Sequence, residues 1–148
     1  MKHKLARKLI AVRSFPRQFW PKLIEAWILL LVVELGLRIL TFKRLHHLLL
    51  KVPLAKHTSP LEEEAVRQTN KMVVLAANNH IFPMTCLRQS LVLQWMLRRR
   101  GIDSDVRIGV KKTGDQFSAH AWVEWQGKPL DPSAVHEFAP LSLTMDNK

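Results

Sequence analysis

The sequence predicts an α+β fold: a helix carrying the only cysteine, packed on a small antiparallel sheet, with a helical arm in front. Three observations predict it. Residues 83–91, Pro-Met-Thr-Cys-Leu-Arg-Gln-Ser-Leu, place Cys86 in the first turn of a helix, with Thr85 as its N-cap. Leu87, Leu91 and Trp95 then recur at four-residue spacing, as do Leu93 and Leu97. Residues 117–125, Phe-Ser-Ala-His-Ala-Trp-Val-Glu-Trp, alternate as a strand does, with Ser118, His120, Trp122 and Glu124 on one face. Gln126-Gly127-Lys128 reads as a turn, and Pro129-Leu130-Asp131-Pro132 starts a return segment.

At 148 residues the chain is long enough for one domain with a real core, plus an appended arm. Its net charge of +11 is unevenly placed. Residues 1–60 hold 12 Lys/Arg against Glu25 and Glu34, a net +10, and the remainder is nearly balanced. The basic character therefore belongs to the arm, residues 1–57, and not to the domain expected over 58–148. One cysteine excludes an internal disulfide and fits a reducing, cytoplasmic compartment.

The first 19 residues are basic with scattered apolar positions, and no long apolar core or small-residue cleavage site of a signal peptide follows. The block from Trp20 to Leu40 has an uninterrupted apolar core only from Ala26 to Val33, eight residues against the roughly 20 of a membrane span. Glu25, Glu34 and Arg38 would make a longer span costly. A helix buried against its own domain or a partner fits better. Peripheral contact with a membrane also fits, because basic residues flank the apolar helix. The segment 42–50 continues as a helix, its adjacent His46 and His47 read as a solvated face, and 51–57 reads as a linker containing Pro53.

Ser59, Pro60 and Glu62 form a capping box that starts the next helix. Its stripe of Leu61, Ala65, Thr69, Met72, Val73 and Ala76 is expected to cover the sheet and to end near Ala77. The Cys86 helix ends at Arg98-Arg99-Arg100-Gly101-Ile102, with cations opposing the dipole and Gly101 in a Schellman-type stop. Val106, Ile108 and Val110 mark a strand, and residues 111–115 turn into the His120 strand. The order is helix, helix, strand, strand, strand, as in papain-like and transglutaminase-like folds.

Cys86, His120 and Asp131 supply the residue types of a thiol nucleophile, its base and the carboxylate that orients the base. A helix start also suits the nucleophile, since free backbone N–H groups there favour thiolate. Hairpin register decides whether Asp131 takes part. A two-residue loop at Gln126-Gly127 sets Asp131 opposite Trp122, and one at Gly127-Lys128 sets it opposite Glu124. Both keep it on the His120 face, whereas a three-residue loop would turn it away.

These residues resemble a known family. Cys86-Leu87-x-x-Ser90-Leu91, Met96-Leu97-x-Arg99-Arg100-Gly101-Ile102, Ile108-Gly109-Val110, Ala119-His120-Ala121-Trp122-Val123-Glu124 and Gly127 are similar to the lasso-peptide leader peptidases. Those are small transglutaminase-like cysteine proteases of bacterial peptide maturation. The likeness covers roughly Ser59 to Leu141. It implies a catalytic triad of Cys86, His120 and Asp131, with no cofactor and no metal. It also implies a ribosomally made precursor peptide as substrate, cut after a leader whose penultimate residue is commonly threonine. A small leader-recognition protein and an asparagine-synthetase-like macrocyclase are the implied partners, and the basic arm is the expected docking surface.

Three other readings use the same residues. An acyl transferase of the same fold needs the same triad. A zinc site from Cys86, His80, His120 and His136 has suitable residue types but no familiar ligand spacing. A noncatalytic basic adaptor for a membrane or nucleic acid accounts for the charge, but no phosphate loop or aromatic RNA-binding signature accompanies it, so no nucleic acid partner is expected.

Overall fold

The computed structural model describes residues 17–51, 62–114, 116–131 and 135–141. They form α1 (Trp20–Ile39), α2 (Phe42–Leu50), α3 (Glu62–Asn78), α4 (Cys86–Arg98), β1 (Asp105–Thr113), β2 (Gln116–Trp125), β3 (Lys128–Pro129) and β4 (Ala139–Pro140). The expected linker and the Ser59-Pro60 start of α3 lie outside the described residues.

Helix α4 is the centre. It packs against α1, α2 and α3 on one side and against β1 and β2 on the other. Ser90, Leu91, Val92, Leu93, Gln94, Met96 and Leu97 are all buried in consequence. The four-residue spacing read from the sequence therefore describes one face of a helix covered on several sides. Truncating Leu91 or Leu97 to alanine would cost about 2–5 kcal/mol. The helix stops in a Schellman motif, as its sequence predicts. Ile102 N donates to Leu97 O, Gly101 N donates to Arg98 O, and Gly101 takes the left-handed conformation at φ 78°.

The same end is tied to two other helices. Arg99 Nη1 donates to Glu25 Oε1 at 2.9 Å, and Arg100 Nη1 donates to Thr69 Oγ1 at 2.6 Å. Burial lowers the proton affinity of Arg100, and Glu25 opposes that effect.

Helix α1 is a core element. Leu23, Ala26, Leu30 and Val33 point inward and pack on α3 and α4. Gly36 lets α2 approach closely, since a Cβ there would stand 3.0 Å from Leu45 Cδ1. Helix α3 lies against α1 and α4 and buries Val66, Thr69, Met72, Val73, Ala76 and Ala77. The expectation that it covers the sheet is corrected: α4 does so, because it follows the Cys86 turn directly onto β2.

A second correction concerns His46. It is buried, not solvated, and its Nε2 meets Gln94 Oε1 at 2.9 Å while its ring stacks on Phe42. Since that oxygen only accepts, Nε2 carries the proton. Gln94 Nε2 in turn donates to Ser104 O, so one polar chain joins α2, α4 and the approach to β1. His47 is exposed, as expected.

The sheet order is β3-β2-β1-β4, all antiparallel. The short β4 is not legible in the sequence. Gln126 and Gly127 both take positive φ, 52° and 72°, which is the type I′ hairpin geometry. Trp125 pairs with Lys128, so the loop is the first of the two expected two-residue loops. Ala121, Trp122 and Val123 are all buried, so the centre of β2 is covered on both faces. Val123 joins the helical core, while Trp122 and Phe138 close over Gly109. A Cβ on Gly109 would stand 2.9 Å from both Phe138 Cβ and the Trp122 ring. Gly109→Ala is therefore expected to destabilise the fold by about 1–3 kcal/mol, read as a lowered urea midpoint at unchanged m-value.

Candidate active site

Cys86 is the first residue of α4. Thr85 precedes it in extended backbone, φ −78° and ψ 161°, but its side chain makes no cap hydrogen bond. The first intrahelical bond is Gln89 N to Thr85 O, so the N–H groups of Cys86, Leu87 and Arg88 have no helical acceptor. The thiol thus sits beside unpaired donors at the positive end of the helix.

His120 lies on β2 opposite Gly109 of β1, beyond the short pairing with β3. Its ring is flanked by Phe138, with centroids 5.3 Å apart, and by Trp122 at 6.3 Å. The glycine opposite provides the room that lets both aromatic rings crowd this face.

Asp131 follows the hairpin. Leu130 N donates to Val123 O at 2.9 Å, which carries the register one residue past β3, and Asp131 comes next. The two-residue loop observed is one of those expected to keep Asp131 on the His120 side.

Cys86, His120 and Asp131 line one cavity of about 210 Å³. The structure thus gathers residues from a helix start, mid-strand and post-hairpin segment at one site. The chain order alone could not show this. The same cavity is lined by Asn70 of α3 and Gln89 of α4, polar side chains that sequence reasoning did not single out. Gln89 stands three residues after Cys86, a spacing that puts both on one helix face. Its Nε2 donates to Met84 O at 3.3 Å, leaving a second amide hydrogen for another acceptor. Asn70 left no readable signal, because its helix is placed by tertiary packing alone.

Another feature the sequence conceals is what fixes the start of α4. Glu34 of α1 is buried, with Arg38 Nε donating to its Oε1 at 2.9 Å. Its other oxygen is in ion-pair contact with Arg88 Nε, although the angle is not that of a hydrogen bond. Arg88 also donates from Nη1 to Pro83 O at 3.3 Å, in the segment leading to Cys86. Glu34 appears in the sequence only as an acid interrupting an apolar helix.

An α+β core whose cysteine opens the helix laid on the histidine strand is the transglutaminase-like class of fold. The profile of the transglutaminase-like superfamily matches residues 28–143, and the chain belongs to that superfamily. Its members are commonly cysteine-dependent enzymes and include cysteine proteases and acyltransferases. No curated protein and no solved structure matches this chain.

Replacing Glu34 by glutamine leaves Arg88 and Arg38 without their counter-charge. Glu34→Gln is expected to cost on the order of 3 kcal/mol of unfolding free energy, measured by urea denaturation. Glu64→Gln, at an exposed i, i+3 pair with Arg67, is expected to leave the midpoint nearly unchanged.

Proposed function

We propose that the protein is a cysteine endopeptidase that removes the leader from a ribosomally made lasso-peptide precursor. The observation that carries this reading is the single cavity shared by Cys86, His120 and Asp131. The superfamily membership and the run of motifs around Cys86 and His120 support it.

The chemistry follows from the positions. His120 takes the proton of the Cys86 thiol, and the thiolate attacks the carbonyl carbon of the scissile bond. The carbonyl oxygen becomes an oxyanion, held by the free N–H groups at the start of α4, with the Gln89 carboxamide as a second donor. As the C–N bond breaks, the imidazolium returns its proton to the leaving amine. Water then gives its proton to His120, attacks the thioester and releases the leader acid and the thiol. Asp131 fixes the imidazole tautomer and balances its charge.

The leader is presented by a small recognition protein, and the freed core amine goes on to an asparagine-synthetase-like macrocyclase. No cofactor or metal takes part in these steps. The superfamily also contains acyltransferases, so an acyl transfer to an amine is the second reading. Product masses separate the two, because hydrolysis adds one water and transfer adds none.

The test is cleavage of the precursor by purified protein, with and without the recognition protein, read by mass spectrometry. Cys86→Ala and His120→Ala are expected to lose turnover, and Asp131→Asn to lose at least about tenfold in kcat with little change in KM. A fully active Cys86→Ala protein would refute the thiol mechanism.

A further inference from the structure

Helix α1 is apolar on two faces, and only one of them is used by the fold. The inner face supplies Leu23, Ala26, Leu30 and Val33 to the core. On the outer face, Ile24, Ile28, Val32 and Leu35 keep about half their surface exposed, 47–51%, and Ile39 keeps 82%. At 3.6 residues per turn these five and Leu31 fall within an arc of about 100° along some 22 Å of helix. No charged residue interrupts that arc. Single exposed aliphatics are ordinary, but a continuous stripe of this length marks a surface that something covers.

The charges around the stripe say what. Both acids of α1 are engaged by arginines: Glu25 by Arg99 and Arg100, Glu34 by Arg38 and Arg88. At the near end stand Arg17 and Lys22, Arg17 exposed. At the far end, Lys43 and Arg44 open α2, both exposed. A second copy of the chain pairing antiparallel along this stripe would bring the two cationic ends together, so self-association is disfavoured. An apolar strip between cationic ends complements an anionic, apolar-centred surface. Beside Ile24 there is also an apolar groove of about 220 Å³, lined by Trp20, Trp27 and Leu75. No helix among the described residues is long and apolar enough to cross a membrane, so contact must be in the plane of the surface.

We propose that the outer face of α1 docks on an anionic lipid surface, with its aliphatic stripe at the headgroup–acyl boundary and the flanking lysines and arginines on the headgroups. Two weak signals act together here, apolar burial and polybasic attraction, and each alone gives only marginal binding. The docking is separate from the chemistry at Cys86, which lies on another helix.

The test is co-sedimentation of the full chain with vesicles of phosphatidylcholine containing about 30% phosphatidylglycerol, against pure phosphatidylcholine. Wild type is expected to bind the anionic vesicles and to lose most binding as salt rises from about 0.1 to 0.5 M. Ile28→Asp with Val32→Asp is expected to cut partitioning at least tenfold at an unchanged thermal midpoint, since both side chains are exposed. Arg17, Lys22, Lys43 and Arg44 changed together to glutamine should weaken it several-fold with the stripe intact. Cys86→Ala should bind as wild type does, whatever its effect on cleavage. Equal sedimentation of wild type and the double aspartate variant overturns the proposal, as does binding indifferent to phosphatidylglycerol. Absence of vesicle binding, with the double variant losing a purified leader-recognition protein instead, assigns the face to a protein and overturns it too.

Discussion

The geometry of the site depends on how the first turn of α4 is held. A helix start is the least constrained part of a helix, because its first N–H groups have no partner within it. In the proposed reaction the same freedom has chemical value, so the turn cannot be secured by filling those donors. Thr85 occupies the cap position without using its side chain. Restraint comes instead from side chains that leave the donors alone. Arg88 reaches Glu34 on α1 and Pro83 O, and Gln89 reaches Met84 O. A buried carboxylate between two arginines is a poor way to gain stability, since desolvation consumes much of the attraction. It is a good way to fix position, because the buried Glu34 carboxylate left without its arginines would be strongly penalised.

The far end of α4 is held by the opposite logic. There the carbonyls are satisfied by the Schellman bonds, and Arg99 and Arg100 reach out to Glu25 and Thr69. Helix α1 therefore contacts α4 through a charged residue at each end, Glu25 and Glu34, with aliphatic packing between. The superfamily match begins at residue 28, within α1, which agrees with this helix belonging to the core.

What the sequence revealed was what local physics decides. The Schellman stop at Gly101 and the Gln126-Gly127 hairpin follow from backbone preferences, and both are observed. The alternation in 117–125 located β2, though not that Trp122 would be buried as deeply as Val123. Trp122 sits over Gly109, where Phe138 also packs, and no period of two encodes that. The buried state of His46 was hidden for the same reason, because its partner Gln94 is 48 residues away. Glu34 was read only as an obstacle to a membrane span, and its role depends on Arg88, which lies on a different helix. The cysteine, histidine and aspartate were legible as residue types in order, while their common cavity required the fold.

The cavity also bears on the fate of the thioester that the proposed reaction would form there. Hydrolysis needs only a water beside the acylated sulfur, and a cavity of about 210 Å³ lined by both polar and apolar side chains has room for one. Transfer needs a second path by which an amine reaches the same carbonyl while the acyl chain fills the first. Two further cavities, of about 320 and 220 Å³, share no lining residue with the one at Cys86. The larger lies behind α4 against His46 and Gln94, and the smaller lies between α1 and α3. Among the described residues, neither of these two is lined by Cys86, His120 or Asp131. Water needs no such second path, and this supports the proposed hydrolysis as the first reading and transfer as the second.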